Sequence, residues 1–195
     1  MAVALAAVSC STPRMHYYTM EIPHMTPGPA PAIARHISVQ RFRGSRVLSD
    51  DRILYREGPS EVNFYEYHRW ASPPVDLATN YVTHRLKDSG TYMRISSYNE
   101  GAGSDYMLRG QLHHFEEVDR GKEASTAVAL ELELFDTKTG APVWREEAEC
   151  TRPLATRDVP GVVRGVQECL EETASKLLGS MQRRIEKVGG QAGPQ

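Results

Sequence analysis

Cysteine is scarce in this 195-residue chain: Cys10 lies near the front, and Cys150 and Cys169 lie towards the back. No CxxC pair and no cysteine/histidine spacing of the zinc type occurs, so no metal centre is expected. No apolar run approaches the roughly 20 residues that a membrane-spanning helix needs. Charge of one sign is lacking too. The formal net charge is −2, which leaves no global basic field to draw nucleic acid. Nucleophile elbows, phosphate-binding glycine loops and zincin motifs are absent. These gaps point to a protein that is not an enzyme and takes no cofactor.

What the chain does have is enough apolar sequence, 40% of residues, for one core. Its densest stretch is Arg52 to Pro74, which reads as strand, Gly58-Pro59 turn, strand and helix start. Tyr55, Phe64, Tyr65, Tyr67 and Trp70 crowd into it, with Ser72 as the expected N-cap and Pro73-Pro74 suited to a first helical turn. Leu77, Ala78, Tyr81, Val82 and Leu86 follow helical spacing up to Ser89-Gly90. Weak alternation over 15–21 and clearer alternation over 34–42 predict strands on either side of a connector holding Pro23, Pro27, Pro29 and Pro31.

The clearest strand is Val128 to Leu134, with Val128, Leu130, Leu132 and Leu134 on one face and Ala129, Glu131 and Glu133 on the other. The strand before it slips phase near His113-His114, since Leu108 and Leu112 share a face that Phe115 does not; this predicts a bulge or bend. Neighbours on a regular strand point apart, so the two histidines are not expected to share an ion. The strand after it carries Trp144, Glu146, Ala148 and Cys150 on one side. From Val159 a stripe of Val163, Val166, Leu170, Ala174, Leu177, Met181 and Ile185 predicts a helix of roughly 43 Å, with its last turns projecting or a bend at Gly179. About seven strands and two helices give an α+β fold, a mainly antiparallel sheet packed against two amphipathic helices in a two-layer sandwich.

MAVALAAVSC is apolar and ends Ala7-Val8-Ser9-Cys10, small residues before a cysteine as in a bacterial lipobox. It reads as a truncated or degenerate lipoprotein signal, the other reading being an apolar N-terminus with a buried cysteine. Cys150 and Cys169 stand as either a disulfide or two buried thiols, in an oxidising compartment where a bond is permitted. Glu131, Glu133, Glu146, Glu147 and Glu149 read as a solvated sheet face.

The order of these pieces resembles the ABC-type transport auxiliary lipoprotein family, which includes the outer-membrane lipoproteins of MCE-type lipid transport systems. The resemblance rests on Cys10, Tyr17-Tyr18, the 52–74 stretch with Arg69-Trp70, LRGQLHHFEEVDRG from Leu108, ALELELFDTKTGAPVW from Ala129, and the closing helix. It implies a fold similar to the N-terminal domain of TolB-like proteins and a lipid on Cys10. It also implies a place on the periplasmic face of the outer membrane, beside an MCE-domain protein and an ABC permease and ATPase, with assembly into a homo-oligomeric ring. The expected role is docking the transporter to that membrane and supporting its integrity. The alternative is a periplasmic module that holds a hydrophobic lipid between sheet and helices. Tyr65, Tyr67 and Arg69 are the expected contact face for a partner. The expected organisation is a signal over 1–10, a strand and Pro-rich connector over 11–33, the α/β domain over 34–188 and a flexible tail over 189–195.

Overall fold

A computed structural model of the chain describes residues 13–22, 32–100, 103–121 and 123–191. The first half holds strands β1 (His16–Tyr18), β2 (Ile33–Val39), β3 (Arg43–Gly44), β4 (Arg52–Glu57) and β5 (Glu61–Trp70), then helix α1 (Pro74–Asp88). The second half holds β6 (Tyr92–Ser97), β7 (Tyr106–Arg120), β8 (Glu123–Asp136), β9 (Pro142–Pro153) and helix α2 (Val159–Gln191).

The long strand β7 organises the sheet. One edge pairs antiparallel with β8 along its whole length. The other edge takes three short strands in succession, all parallel: β2 at Tyr106–Leu108, β3 at Gln111–Leu112 and β4 at Glu117–Asp119. Outside these lie β6 on β2 and β5 then β1 on β4, while β9 closes the far side on β8. Among the described residues the result is a curled, mixed, nine-stranded sheet with two α-helices. The α+β class holds, but the expected mainly antiparallel sheet is corrected to a mixed one. The reason is topological: β2, β3 and β4 reach β7 through crossover connections, which give parallel pairs, whereas the β4–β5, β7–β8 and β8–β9 hairpins give antiparallel ones.

The bulge is where the phase slip placed it. Leu112 pairs with Leu130 and His114 with Ala129, so His113 is the extra residue. That one insertion keeps both Leu112 and Phe115 in the core, at 1% and 0% exposure. Gly110 serves the same strand differently: an added Cβ would stand 2.5 Å from the ring of buried Phe42, so the phenyl ring lies directly on bare backbone.

The core lies between the sheet and α2. Val128, Leu130, Leu132 and Leu134 are completely buried against Val166, Leu170, Leu177 and Met181. The small Gly165 lets the helix approach Thr126, which a Cβ there would contact at 2.7 Å. Helix α2 runs unbroken for 33 residues, about 50 Å, through Gly179 and into the segment expected as a tail. Its stripe is buried through Ile185 except at Val163, where Val162 faces the core instead, and Arg184 Nε donates to the Val143 carbonyl at 3.0 Å, so the sheet supports the late turns expected to project. At α1 the N-cap is Pro73 rather than Ser72. Proline at the first helical position needs no amide partner, and Asp76 in the first turn suits the helix dipole and receives Arg41.

Candidate functional site

Both helices leave one face of the β7–β8–β9 region bare. A trough of about 920 Å³ runs along it. Its floor is β8, where Ser125, Ala127 and Ala129 replace the larger Glu131 and Glu133 further along. Paired residues put His114 and Glu116 of β7 on one side of that floor and Glu149 and Thr151 of β9 on the other. Glu116 is the unusual member, a carboxylate side chain only 2% exposed. Arg56 of β4 holds it with two hydrogen bonds, Nε to Oε1 at 2.9 Å and Nη2 to Oε2 at 3.3 Å. His114 Nδ1 sits 3.0 Å from the same Oε1. Two strands, β4 and β7, are thus tied together by one buried charge. Sequence reading did not find this group. The only available signal was the bulge, which turns Glu116 to the helix-free face while Phe115 and Glu117 face the core.

The alternative expectation of a ligand between sheet and helices is corrected by this arrangement. That interface is filled by fully buried aliphatic side chains, and the large cavity lies on the opposite face.

The bulge also changes the histidine argument. His114 lines the trough, and His113 lies within 4.8 Å of Glu131 and Glu147 ligand atoms, so both rings reach the helix-free face. His114 bonds Glu116 while His113 stands near Glu131 and Glu147, and Arg145 Nη2 already donates to Glu131 at 2.7 Å. Among the other glutamates, Glu146 faces α2, where Ser180 donates to it and Trp144 Nε1 in turn donates to Ser180 at 3.2 Å.

The three residues expected as a contact face are separated by a register break in the β4–β5 pair, which falls between Phe64 and Arg69. Tyr65 turns inward: its ring packs on Tyr55 and edge-on to His68, and its hydroxyl donates to Glu117 at 2.6 Å. Burial first, and that carboxylate second, push its phenol above the ordinary range. Arg69 donates to Asp51 at 2.7 Å. Tyr67 remains exposed. Beyond them, β1 pairs parallel to the end of β5, with Tyr17 beside Arg69. His16 stacks on His68, and Tyr18 Oη lies 2.9 Å from His68 Nδ1; burial, then the nearby His16, lower the His68 pKa.

Cys10 lies outside the described residues. Cys150 and Cys169 are joined as a disulfide, S–S 2.07 Å, which ties β9 to α2 across 19 residues. Closing a loop of that size restricts the unfolded chain by about 3 kcal/mol. Replacing both cysteines with alanine is expected to lower the unfolding free energy by about that amount in urea titration. An unchanged midpoint would contradict a structural role for the bond.

These features define a class of protein: a small α+β domain with its helices packed behind the sheet, a bare sheet face over β7–β9 and a short strand, β1, at one edge. Residues 18–177 match the family described as ABC-type transport auxiliary lipoprotein component, and the chain belongs to that family. Among solved structures, a Xanthomonas campestris protein of the DUF330 family aligns with a TM-score of 0.79 and 22% identity, over 89% of this chain and 99% of that one. A second structure, of an uncharacterized protein, gives 0.69 and 14% identity over 87% and 99%. A Chlamydia trachomatis protein gives 0.52 and 7% over 78% and 98%. At these identities the likeness is one of fold. No curated protein matches the sequence.

Proposed function

We propose that this chain is a non-enzymatic lipoprotein subunit of an ABC-type, MCE-associated lipid transport system, anchored through Cys10 to the periplasmic face of the outer membrane. The observation that carries the reading is the family match over residues 18–177, joined to a cysteine set in Ala7-Val8-Ser9-Cys10. With Cys150 and Cys169 bonded to each other, Cys10 is the one cysteine left for acylation. Anchoring confines the 34–188 domain to the membrane surface, which raises its effective concentration near membrane-bound partners. In this reading the domain docks the MCE protein and its permease and ATPase, contributes to membrane integrity, and assembles into a homo-oligomeric ring. Arg69 and the outer edge of Tyr65 offer the partner contact, with the exposed Tyr67 at its border. The bare trough has the room for a lipid, because the opposite interface is full.

Fractionation of cells expressing the full reading frame tests the anchor. Native protein is expected in the outer-membrane fraction and the Cys10→Ala protein in the soluble periplasm. Soluble protein in both cases would overturn the reading.

A further inference from the structure

Among the described residues, the large apolar side chains left exposed are Met15, Tyr17, Tyr67, Met93 and Tyr98. They are not scattered. Tyr17 and Tyr67 lie on β1 and β5, with Met15 just before β1, on the group of strands that β4 joins to β7 at Glu117–Asp119; Met93 and Tyr98 lie on or next to β6, which β2 joins to the same edge of β7 at Tyr106–Leu108. The β1–β5 register sets Tyr17 beside Arg69, and continued by one residue it sets Met15 level with Tyr67. Tyr17 is the most exposed of the group at 64%.

This edge is also where the chain comes in from Cys10. Met15 lies five residues on from Cys10, and a fully extended chain of that length spans at most about 18 Å. The incoming end cannot slide, because β1 is fixed on both sides. Ala71 N–H donates to the Tyr18 carbonyl, His16 stacks on His68, Met20 is buried, and Glu21 N–H donates to Gln167 of α2. A lipid on Cys10 therefore holds this particular edge within a short distance of the bilayer. Tyrosine and methionine are suited to that place: tyrosine concentrates in the interfacial belts of membrane proteins, where its ring meets acyl chains and its hydroxyl meets headgroups.

We propose that Met15, Tyr17 and Tyr67 form a membrane-contact patch that seats the β1–β5 edge in the headgroup layer of the bilayer carrying the anchor. A single anchor permits free rotation of the domain; the patch adds a second point of contact and fixes which side faces the lipid.

The inference rests on Cys10 as the attachment point, so its test supplies the tether chemically. The full chain, with Cys150 and Cys169 oxidised, is coupled through the Cys10 thiol to maleimide-headgroup lipid in phosphatidylcholine/phosphatidylglycerol vesicles. Tyr67→Trp and Tyr98→Trp proteins are compared with the parent for quenching by headgroup-nitroxide lipid. The Tyr67→Trp signal is expected to fall at least about twofold and the Tyr98→Trp signal to change little. Adding Tyr17→Ser is expected to reverse most of the quenching at Tyr67→Trp. Equal quenching at both positions, or quenching indifferent to Tyr17→Ser, would show a tether without a seat and overturn the proposal. No quenching at Tyr67→Trp would overturn it as well. Failure of Cys10→Ala to change cell fractionation would instead remove the cellular anchor and leave the vesicle result standing.

Discussion

Trp70→Ala is expected to remove about 4 kcal/mol of stability, a large part of the total for a domain whose whole margin is about 5–15 kcal/mol. The indole is 1% exposed and meets the ring of Phe115 edge-on, centroids 5.3 Å apart. Its position explains the size of the effect. Trp70 ends β5, pairs with Tyr18 of β1, and its backbone N–H donates to the Asp51 carbonyl at 2.7 Å. The next residue bonds back to Tyr18, and α1 begins four residues on. One side chain therefore fills the corner where β1, β5 and the start of α1 meet, against Phe115 of β7. The indole N–H is buried without a hydrogen-bond partner among the described residues, so the loss is one of packing and cavity volume. Trp70→Phe, which keeps an aromatic ring against Phe115, is expected to recover most of the loss. Urea unfolding of the three proteins measures it, and a Trp70→Ala cost under about 1 kcal/mol would mean the corner collapses freely.

Periodicity carried most of the fold. The alternation in β8 and the stripe on α2 survive intact because each element packs one face only, and the slip at His113 located the bulge for the same reason. Parallel pairing left no such mark. The residues that place β2, β3 and β4 on one edge of β7 are far apart in sequence, and alternation reports which face is buried, not which neighbour sits alongside. The contact face suffered from a related limit. Tyr65 and Tyr67 look equivalent by a period of two, but the β4–β5 register break lies among them, and Tyr65 spends its hydroxyl on Glu117 while Tyr67 stays in solvent. The edge made by Tyr17 and Arg69 could not be read either, since β1 pairs with β5 across a long connection.

Arg56→Met is expected to cost about 3 kcal/mol, because it leaves the Glu116 carboxylate in a buried place without its principal partner. The low end of the range for a broken buried pair applies here: Arg56 is itself 26% exposed, and His114 remains within hydrogen-bonding distance of the carboxylate. The informative comparison is the double substitution. Removing both charges, as Arg56→Met with Glu116→Leu, takes away the unpaired ion as well as the pair, and the protein is expected to regain most of the lost stability. If instead the double variant is as unstable as Arg56→Met, the cost lies in packing of the arginine stem across β4 and not in the stranded carboxylate. The same pair of proteins tests why a buried charge sits on the wall of an open trough. A structural clamp between β4 and β7 predicts that the double variant, once refolded to native stability, docks its partners normally in pull-down. A carboxylate-anchored arginine and histidine facing a ligand predicts a stable protein that has lost that contact, which moves the functional weight from the β1–β5 edge to the helix-free face.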